Sequence, residues 1–258
     1  MARIRIDLSY VGTNYCGWQI QPNGTSIQGV IQKALSKVLG YQVAVVGSGR
    51  TDAGVHALHQ VAHFDIKEST IEATKWCAIL NALLPKDIRI LESKEVLPSF
   101  HARYSATKRS YCYLILPKKN QNNYLAFCHP FCWATHKEHD IATLNEYAKI
   151  IVGQHNFLSF CSVRDCSPSK IKTVTEAYFK QEEPFIKFYI SANGFLWNMV
   201  RSIVGTFIEL EGQGATPSDI ASILNAKNRC EAGMTAPARG LFLENVLYSK
   251  EEEVFNGQ

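Results

Sequence analysis

The chain has 258 residues, of which 46% are hydrophobic and 19% charged. That is enough apolar matter to bury a core, and it excludes disorder as the general state. The 27 Lys and Arg against 23 Asp and Glu leave a net charge of +4, which permits a phosphate-rich partner without requiring one. No apolar run of about 18 residues is present to cross a membrane as a helix.

Residues 3–11 alternate, with Ile4, Ile6, Leu8 and Tyr10 on one face and Arg3, Arg5, Asp7 and Ser9 on the other. This predicts a half-buried strand rather than the apolar segment of a secretion signal, and hence a cytoplasmic protein. A loop over 12–24 leads to Thr25-x-x-Gln28, a capping-box pattern, and then to apolar positions from Ile27 to Leu39 at helical spacing that Gly40 closes. A short strand over 43–46, the loop 47–57 and a strand over 61–66 follow. A helix over 71–84 is entered at Ser69-x-x-Glu72 and stopped by Pro85, and a strand runs over 88–96. The order β-α-β-β-α-β is the split βαβ pattern.

The second portion begins near residue 106. A strand over 108–116 places Arg109, Tyr111, Tyr113 and Ile115 on one face. Residues 117–136 read as irregular. A helix over 140–152 ends at Gly153, strands run over 173–180 and 185–192, and Asn193-Gly194 makes a turn. A helix over 196–209 precedes one opened by Thr216-Pro217, with proline at its first position. Residues 241–248 form a last strand, and Glu251-Glu252-Glu253 read as a solvated charge run. The fold class is α+β, with two similar subdomains, 1–105 and 106–258, whose mainly antiparallel sheets join and frame a central cleft.

Eight cysteines are scattered without a Cys-x-x-Cys, so they are expected reduced and mostly buried. The densest stretch, Cys128-His129-x-x-Cys132 followed by His136 and His139, fits no common zinc spacing, and no metal is expected.

The most unusual stretch is Gly47-Ser48-Gly49-Arg50-Thr51-Asp52-Ala53-Gly54-Val55-His56-Ala57. Glycines let a backbone approach a neighbour closely or take positive φ. A carboxylate in such a loop, between two strands and beside Arg50, is displayed rather than packed. Spacing alone favours a tight turn capped by its aspartate. The glycine patterns of nucleotide hydrolysis and dinucleotide binding are missing.

Several further segments occur in order with this loop. They are Gly17-Trp18-Gln19-x-Gln21, Asn81-x-Leu83-Leu84-Pro85-x-Asp87-Ile88, Phe100-His101-Ala102-Arg103-Tyr104-Ser105-Ala106 and Arg109-x-Tyr111-x-Tyr113. Later come Gly153-x-His155-x-Phe157, Asn193-Gly194-Phe195-Leu196 with Met199-Val200-Arg201, and Ala232-Gly233-x-Thr235-Ala236-Pro237-Ala238-x-Gly240-Leu241. Together they resemble the tRNA pseudouridine synthase A family across nearly the whole chain. The resemblance implies the pseudouridine synthase fold of two ferredoxin-like subdomains. It also implies isomerisation of uridine to pseudouridine at positions 38, 39 and 40 of the tRNA anticodon stem-loop.

The chemistry fits these residues. The base is detached at its N-glycosidic bond, turned and rejoined through carbon, and a target in a stem must first be flipped out at a cost of about a few kcal/mol. A carboxylate suits a reaction at an electron-poor C1′. The resemblance makes Asp52 the catalytic aspartate; attack on the sugar, attack on the base and removal of a sugar proton are all open to it. No redox change occurs and no water is consumed, so neither cofactor nor metal is implied. Tyr111 matches an active-site tyrosine that stacks on the flipped uracil, and Arg201 an arginine expected to pair with Asp52 and keep it ionised. Arg50 would help displace or replace the flipped base, and Leu241 would wall the uracil site. On pattern alone, Tyr111 and Leu241 would be strand core.

One departure concerns the start of the helix carrying Arg201, where many family members have two histidines and this chain has Trp197 and Asn198. The family acts as a homodimer with one tRNA touching both subunits, which would let a mildly basic chain present a larger basic surface. Candidate phosphate contacts are Arg3, Arg5, Lys108, Arg109, Lys118, Lys119, Arg164, Lys170 and Lys172. A non-catalytic RNA-binding protein is the competing reading, and it would not need Asp52, Tyr111 and Arg201 together. A nucleoside hydrolase would release free uracil.

Overall fold

A computed structural model describes residues 1–67 and 71–249, so the Ser69 end of the expected helix entry and the Glu251–Glu253 run lie outside the described residues. The elements in the first part of the chain are β1 (Ala2–Tyr10), α1 (Ile27–Leu39), β2 (Val45–Gly47), β3 (His56–Ile66), α2 (Trp76–Leu83) and β4 (Ile88–Val96). Then follow β5 (Ala106–Leu116), α3 (Gln121–Cys128), β6 (Trp133–Ala134), α4 (Ile141–Ile150), β7 (Gly153–Asn156), β8 (Ile171–Glu182), β9 (Phe185–Ala192), α5 (Met199–Glu211), α6 (Pro217–Ala226) and β10 (Leu241–Tyr248). They form two units. One is Met1–Arg109 together with the stretch from Leu243, and the other is Ser110–Phe242. The chain therefore leaves the first unit inside β5 and re-enters it inside β10, whereas a cut in chain order at 105/106 counts the whole last strand with the second half.

In the first unit β1 pairs antiparallel with both β3 and β4, and β2 pairs antiparallel with β3. The order β4-β1-β3-β2 is the split βαβ arrangement read from the sequence. Ile4, Ile6 and Leu8 are buried with Ile31, Leu35, Phe64, Trp76 and Leu80, and the Phe64 and Trp76 rings meet edge to face at 5.5 Å.

The polar face of β1 is not wet as expected, because Arg5 and Asp7 are also buried. Arg5 donates from Nε and Nη2 to the two carboxylate oxygens of Asp7 at 2.7 and 2.8 Å. His59 Nε2 lies 2.8 Å from Asp7 Oδ2, and the Arg5 guanidinium sits 4.8 Å from the centre of the Tyr248 ring. Alternation tells two faces apart; it does not say that the polar one meets water.

Helix boundaries carry further corrections. α1 is capped by Ser26, whose side chain accepts from Gly29 N–H, not by Thr25. Gln28 instead donates to Val45 O at 2.8 Å, tying the helix to β2. Gly40, at φ 76°, closes the helix as expected. The expected helix over 71–84 is split into a 3₁₀ turn, Ala73–Lys75, and α2, because Lys75 N–H bonds to Glu72 O and closes the tighter i→i+3 ring.

In the second unit the strand order is β5-β9-β8-β7, with β6 parallel to β5 and the β7–β8 and β8–β9 pairs antiparallel. The succession β5-α4-β8-β9-α5-β10 repeats the split pattern in chain order. α6 opens as predicted, with Pro217 in its first turn and the Asp219 carboxylate accepting from Thr216 N–H at 2.7 Å. α3 and β6 fall where an irregular stretch was expected. α3 buries none of its residues, so it leaves no apolar period to read.

Three of the eight cysteines are buried and two, Cys166 and Cys230, are exposed, fewer buried than expected. His139 is occupied by Glu211 and Thr135 at 2.9 and 3.0 Å. Among the described residues no three His, Cys, Asp or Glu side chains converge as metal ligands, and no helix is long and apolar enough to cross a membrane.

Candidate active site

The loop between β2 and β3 is held by its backbone rather than by its display residues. Thr51 is buried, Asp52 half-buried and Arg50 exposed. Trp18 N–H donates to Thr51 O at 3.1 Å, and the Thr51 hydroxyl lies 2.8 Å from the Tyr10 hydroxyl. Burial pushes the Tyr10 phenol up to about 12, so it stays a neutral hydrogen-bonding group. Val55 N–H closes the turn onto Asp52 O at 3.1 Å, with Gly54 at φ 79°.

Upstream, the Ser48 carbonyl accepts from Arg109 Nε and Nη2 at 3.1 and 2.7 Å. The Gly49 carbonyl accepts from Gln60 Nε2 at 3.1 Å. These are charge-assisted or buried bonds to carbonyls that would otherwise be costly to desolvate. Arg109, expected among the phosphate contacts, is thus a buried strut of the loop, and Arg5 is likewise buried.

Two glycines permit this close fit. A Cβ on Gly17, whose φ is +103°, would stand 2.6 Å from Thr51 O, and one on Gly47 would stand 2.5 Å from the Trp18 ring. The residues of the Gly17-Trp18-Gln19 segment therefore line the back of the Asp52 loop. Gln19 Oε1 is also within 3.5 Å of Arg50 Nη1.

The other expected site residues belong to the second unit. Tyr111 is a buried residue of β5, its ring edge to face with Phe195 at 4.9 Å. Arg201 lies in the first turn of α5, where its Nε donates to Ala236 O at 2.8 Å and its Nη1 to Asn198 Oδ1 at 3.0 Å. Leu241 is buried at the start of β10, just after Gly240, where a Cβ would strike the Tyr113 ring at 2.7 Å. Arg201, Ala236 and Leu241 thus share the second unit's own framework, while Asp52 and Arg50 belong to the first.

α5 begins at Met199, three residues later than expected, because Asn198 is left-handed at φ 63°. Asn is among the few residues that tolerate that conformation. Its side chain does not cap the helix and instead holds Arg201. Trp197, the other departure, is 43% exposed, and its N–H donates to Asp165 Oδ2 at 2.7 Å.

Asp165 is a residue that sequence reasoning passed over. Its carboxylate also accepts from Ser167 N–H at 2.8 Å and Lys170 Nζ at 2.5 Å. These partners outweigh the opposing burial and hold it well below the usual carboxylate range. Lys170, expected on phosphate, is taken up here. Nothing in the sequence marked Asp165 beyond an acid in a polar loop.

A family model described as tRNA pseudouridine synthase matches residues 8–105 and 147–249. This chain belongs to the tRNA pseudouridine synthase family. Proteins named tRNA pseudouridine synthase A match it almost end to end. That of Thermoanaerobacter sp. (strain X514) is 42% identical over 249 residues, 96% of this chain and 100% of that protein. Those of Brachyspira hyodysenteriae and Borreliella afzelii are 40% and 42% identical, covering 97% and 96% of this chain and all of each relative. Membership in the tRNA pseudouridine synthase family carries the activity in its name, isomerisation of uridine in tRNA, and the α+β fold described above is that of the family.

Proposed function

We propose that this chain converts uridine to pseudouridine at positions 38, 39 and 40 of the tRNA anticodon stem-loop, with Asp52 as its catalytic carboxylate. The observation that carries the reading is the loop itself. A half-buried aspartate stands in a loop whose backbone is fixed from behind by Trp18, Gln60 and Arg109 and whose Thr51 side chain is held by Tyr10. Such a platform holds a carboxylate in one place, as preorganised catalysis requires.

The isomerisation breaks N1–C1′ and forms C5–C1′; the proton on C5 leaves and N1 gains one. Atoms and electrons balance without a redox partner or water. Attack on C1′, attack on the base and removal of a sugar proton all require Asp52 ionised. Arg201 is the cation assigned to keep it so, and Ala236 O and Asn198 Oδ1 fix the direction of its guanidinium. Tyr111, braced by Phe195, stacks on the flipped uracil, and Leu241 walls its edge. Arg50, exposed at the rim of the loop, replaces the flipped base in the stem. The enzyme works in the cytoplasm as a homodimer, which doubles the basic surface of a chain whose own excess is +4.

Tritium release from tRNA carrying 5-³H-uridine tests this. Wild-type protein is expected to release tritium from a tRNA with uridine at 38–40 and none from one with cytidine there. Release from neither, or free uracil among the products, refutes it.

A further inference from the structure

Outside the Asp52 loop, the first unit carries a line of aromatic contacts that runs from its interior to solvent, edge to face between His63 and His101 and closer to parallel between His101 and Tyr104. His63 on β3 is 3% exposed, and its ring centre lies 5.0 Å from that of His101. His101 in turn lies 4.3 Å from the ring of Tyr104, tilted by only 31°. Tyr104 is 76% exposed. A single exposed tyrosine needs no explanation; one braced by a line of rings from the interior does.

The loop that presents Tyr104 is fixed at nearly every residue. Ala102 donates its N–H to His63 Nδ1 at 3.1 Å and its carbonyl accepts from the Tyr248 hydroxyl at 2.7 Å. The Arg103 carbonyl accepts from Arg109 Nη2 at 2.6 Å. His101 Nδ1 accepts from both Arg103 N–H and Tyr104 N–H at 3.2 Å. The ordering cost of this loop is therefore met in the folded protein before any ligand arrives. Burial and then Arg3 hold both histidines below their ordinary value, His63 at about 4. At neutral pH the rings are neutral, and the Arg103 guanidinium, over the Tyr104 ring at 5.6 Å from its centre, supplies the positive charge.

Resting on the function proposed above, we propose that the exposed Tyr104 ring, backed by His101 and accompanied by Arg103, is a stacking platform for an unpaired base of the tRNA substrate. A flat aromatic beside a guanidinium suits a base attached to a polyanion. A second copy of this chain would bring its own positive excess to the same place.

Binding of the full-length chain to an unmodified tRNA transcript, followed by fluorescence anisotropy at several salt concentrations, tests the proposal. Tyr104→Ala is expected to raise Kd by about 5- to 150-fold, the range that loss of one stacked base gives. Tyr104→Phe and Tyr104→Trp are expected to stay within about 2-fold of wild type, because each keeps a ring to stack on. The slope of log K against log salt is expected to be unchanged, since no phosphate contact is removed. Unchanged affinity in Tyr104→Ala, a smaller salt slope, or a change of oligomeric state by light scattering would each overturn the proposal. Tritium release by the wild type, measured alongside, separates this from the functional reading. Absent release defeats that reading, whereas release with unaltered Tyr104→Ala binding defeats only the platform.

Discussion

Two aspartates in loops, Asp52 and Asp165, look alike in sequence and serve opposite ends. Asp165 has a side chain only 1% exposed, and its oxygens are occupied by Lys170, Ser167 and Trp197 of its own unit. It is the hub that shapes a loop. Asp52 is half-buried on a turn whose neighbours bond to its backbone and to Thr51. The contrast teaches that an acid's role shows in what holds it. The Asp165 carboxylate gathers three donors from its own loop and its neighbours, whereas the Asp52 loop is held through its carbonyls and through Thr51.

Substitutions at the two positions break the comparison most sharply. Asp52→Asn is expected to lower turnover on the order of 10⁴-fold or more. Tm should not fall and tRNA affinity should stay near wild type, because affinity rests on phosphate contacts. Asp165→Ala should do the reverse in the first instance. It strands Lys170 and two backbone N–H groups and costs roughly 3 kcal/mol of stability, read by denaturant unfolding. Equal stability losses at the two positions would erase the distinction.

The back of the Asp52 loop offers a middle case. Gly17→Ala adds a Cβ 2.6 Å from Thr51 O at a positive φ. It is expected to cost about 1–2 kcal/mol in stability and, by shifting Thr51, to lower kcat more than it raises KM.

On the side of Arg201, Asn198→Gly keeps the left-handed backbone but removes the bond to the guanidinium. We expect a fall of about tenfold in kcat, the scale of one hydrogen bond to a charged group, with little change in Tm. A wild-type kcat in Asn198→Gly would show that the Asn198 bond is not needed to orient Arg201.

The smallest effect is a pair of titrations. His59 sits against Asp7, whose hydrogen bond raises its pKa. His63 is pushed down to about 4, by burial first. The stability from His59 is therefore fully present below pH 6.5 and is lost as pH rises through its raised value. His63 acts the other way, since the unfolded chain takes up its proton first. It withdraws about 1–2 kcal/mol as pH falls from 6.5 to 5. Histidine NMR should show His59 titrating above 6.5 and His63 still neutral at pH 5.

The sequence was legible where period and local chemistry agreed. Ile4, Ile6 and Leu8 marked β1, Gly40 ended α1, and Thr216-Pro217 opened α6. It was silent where neither applied. α3 buries nothing, and β6 and β7 are too short to alternate. The late start of α5 followed from one left-handed residue that no apolar pattern announces. At the site, Asp52 and Arg50 stood out by their glycines. Asp165 and the buried use of Arg5 and Arg109 did not, since long-range partners choose those roles. Tyr111, Arg201 and Leu241 became candidates through family resemblance, because a strand tyrosine, a helix arginine and a strand leucine have bland readings in isolation.

The central claim is that Asp52 of this chain makes pseudouridine in the anticodon stem-loop. Mass-spectrometric mapping of pseudouridine in an unmodified tRNA, after incubation with wild-type or Asp52→Asn protein, tests it most directly. Pseudouridine is expected at positions 38–40 with the wild type and none with the variant. Pseudouridine elsewhere in the tRNA, or equal yields from the two proteins, would contradict it.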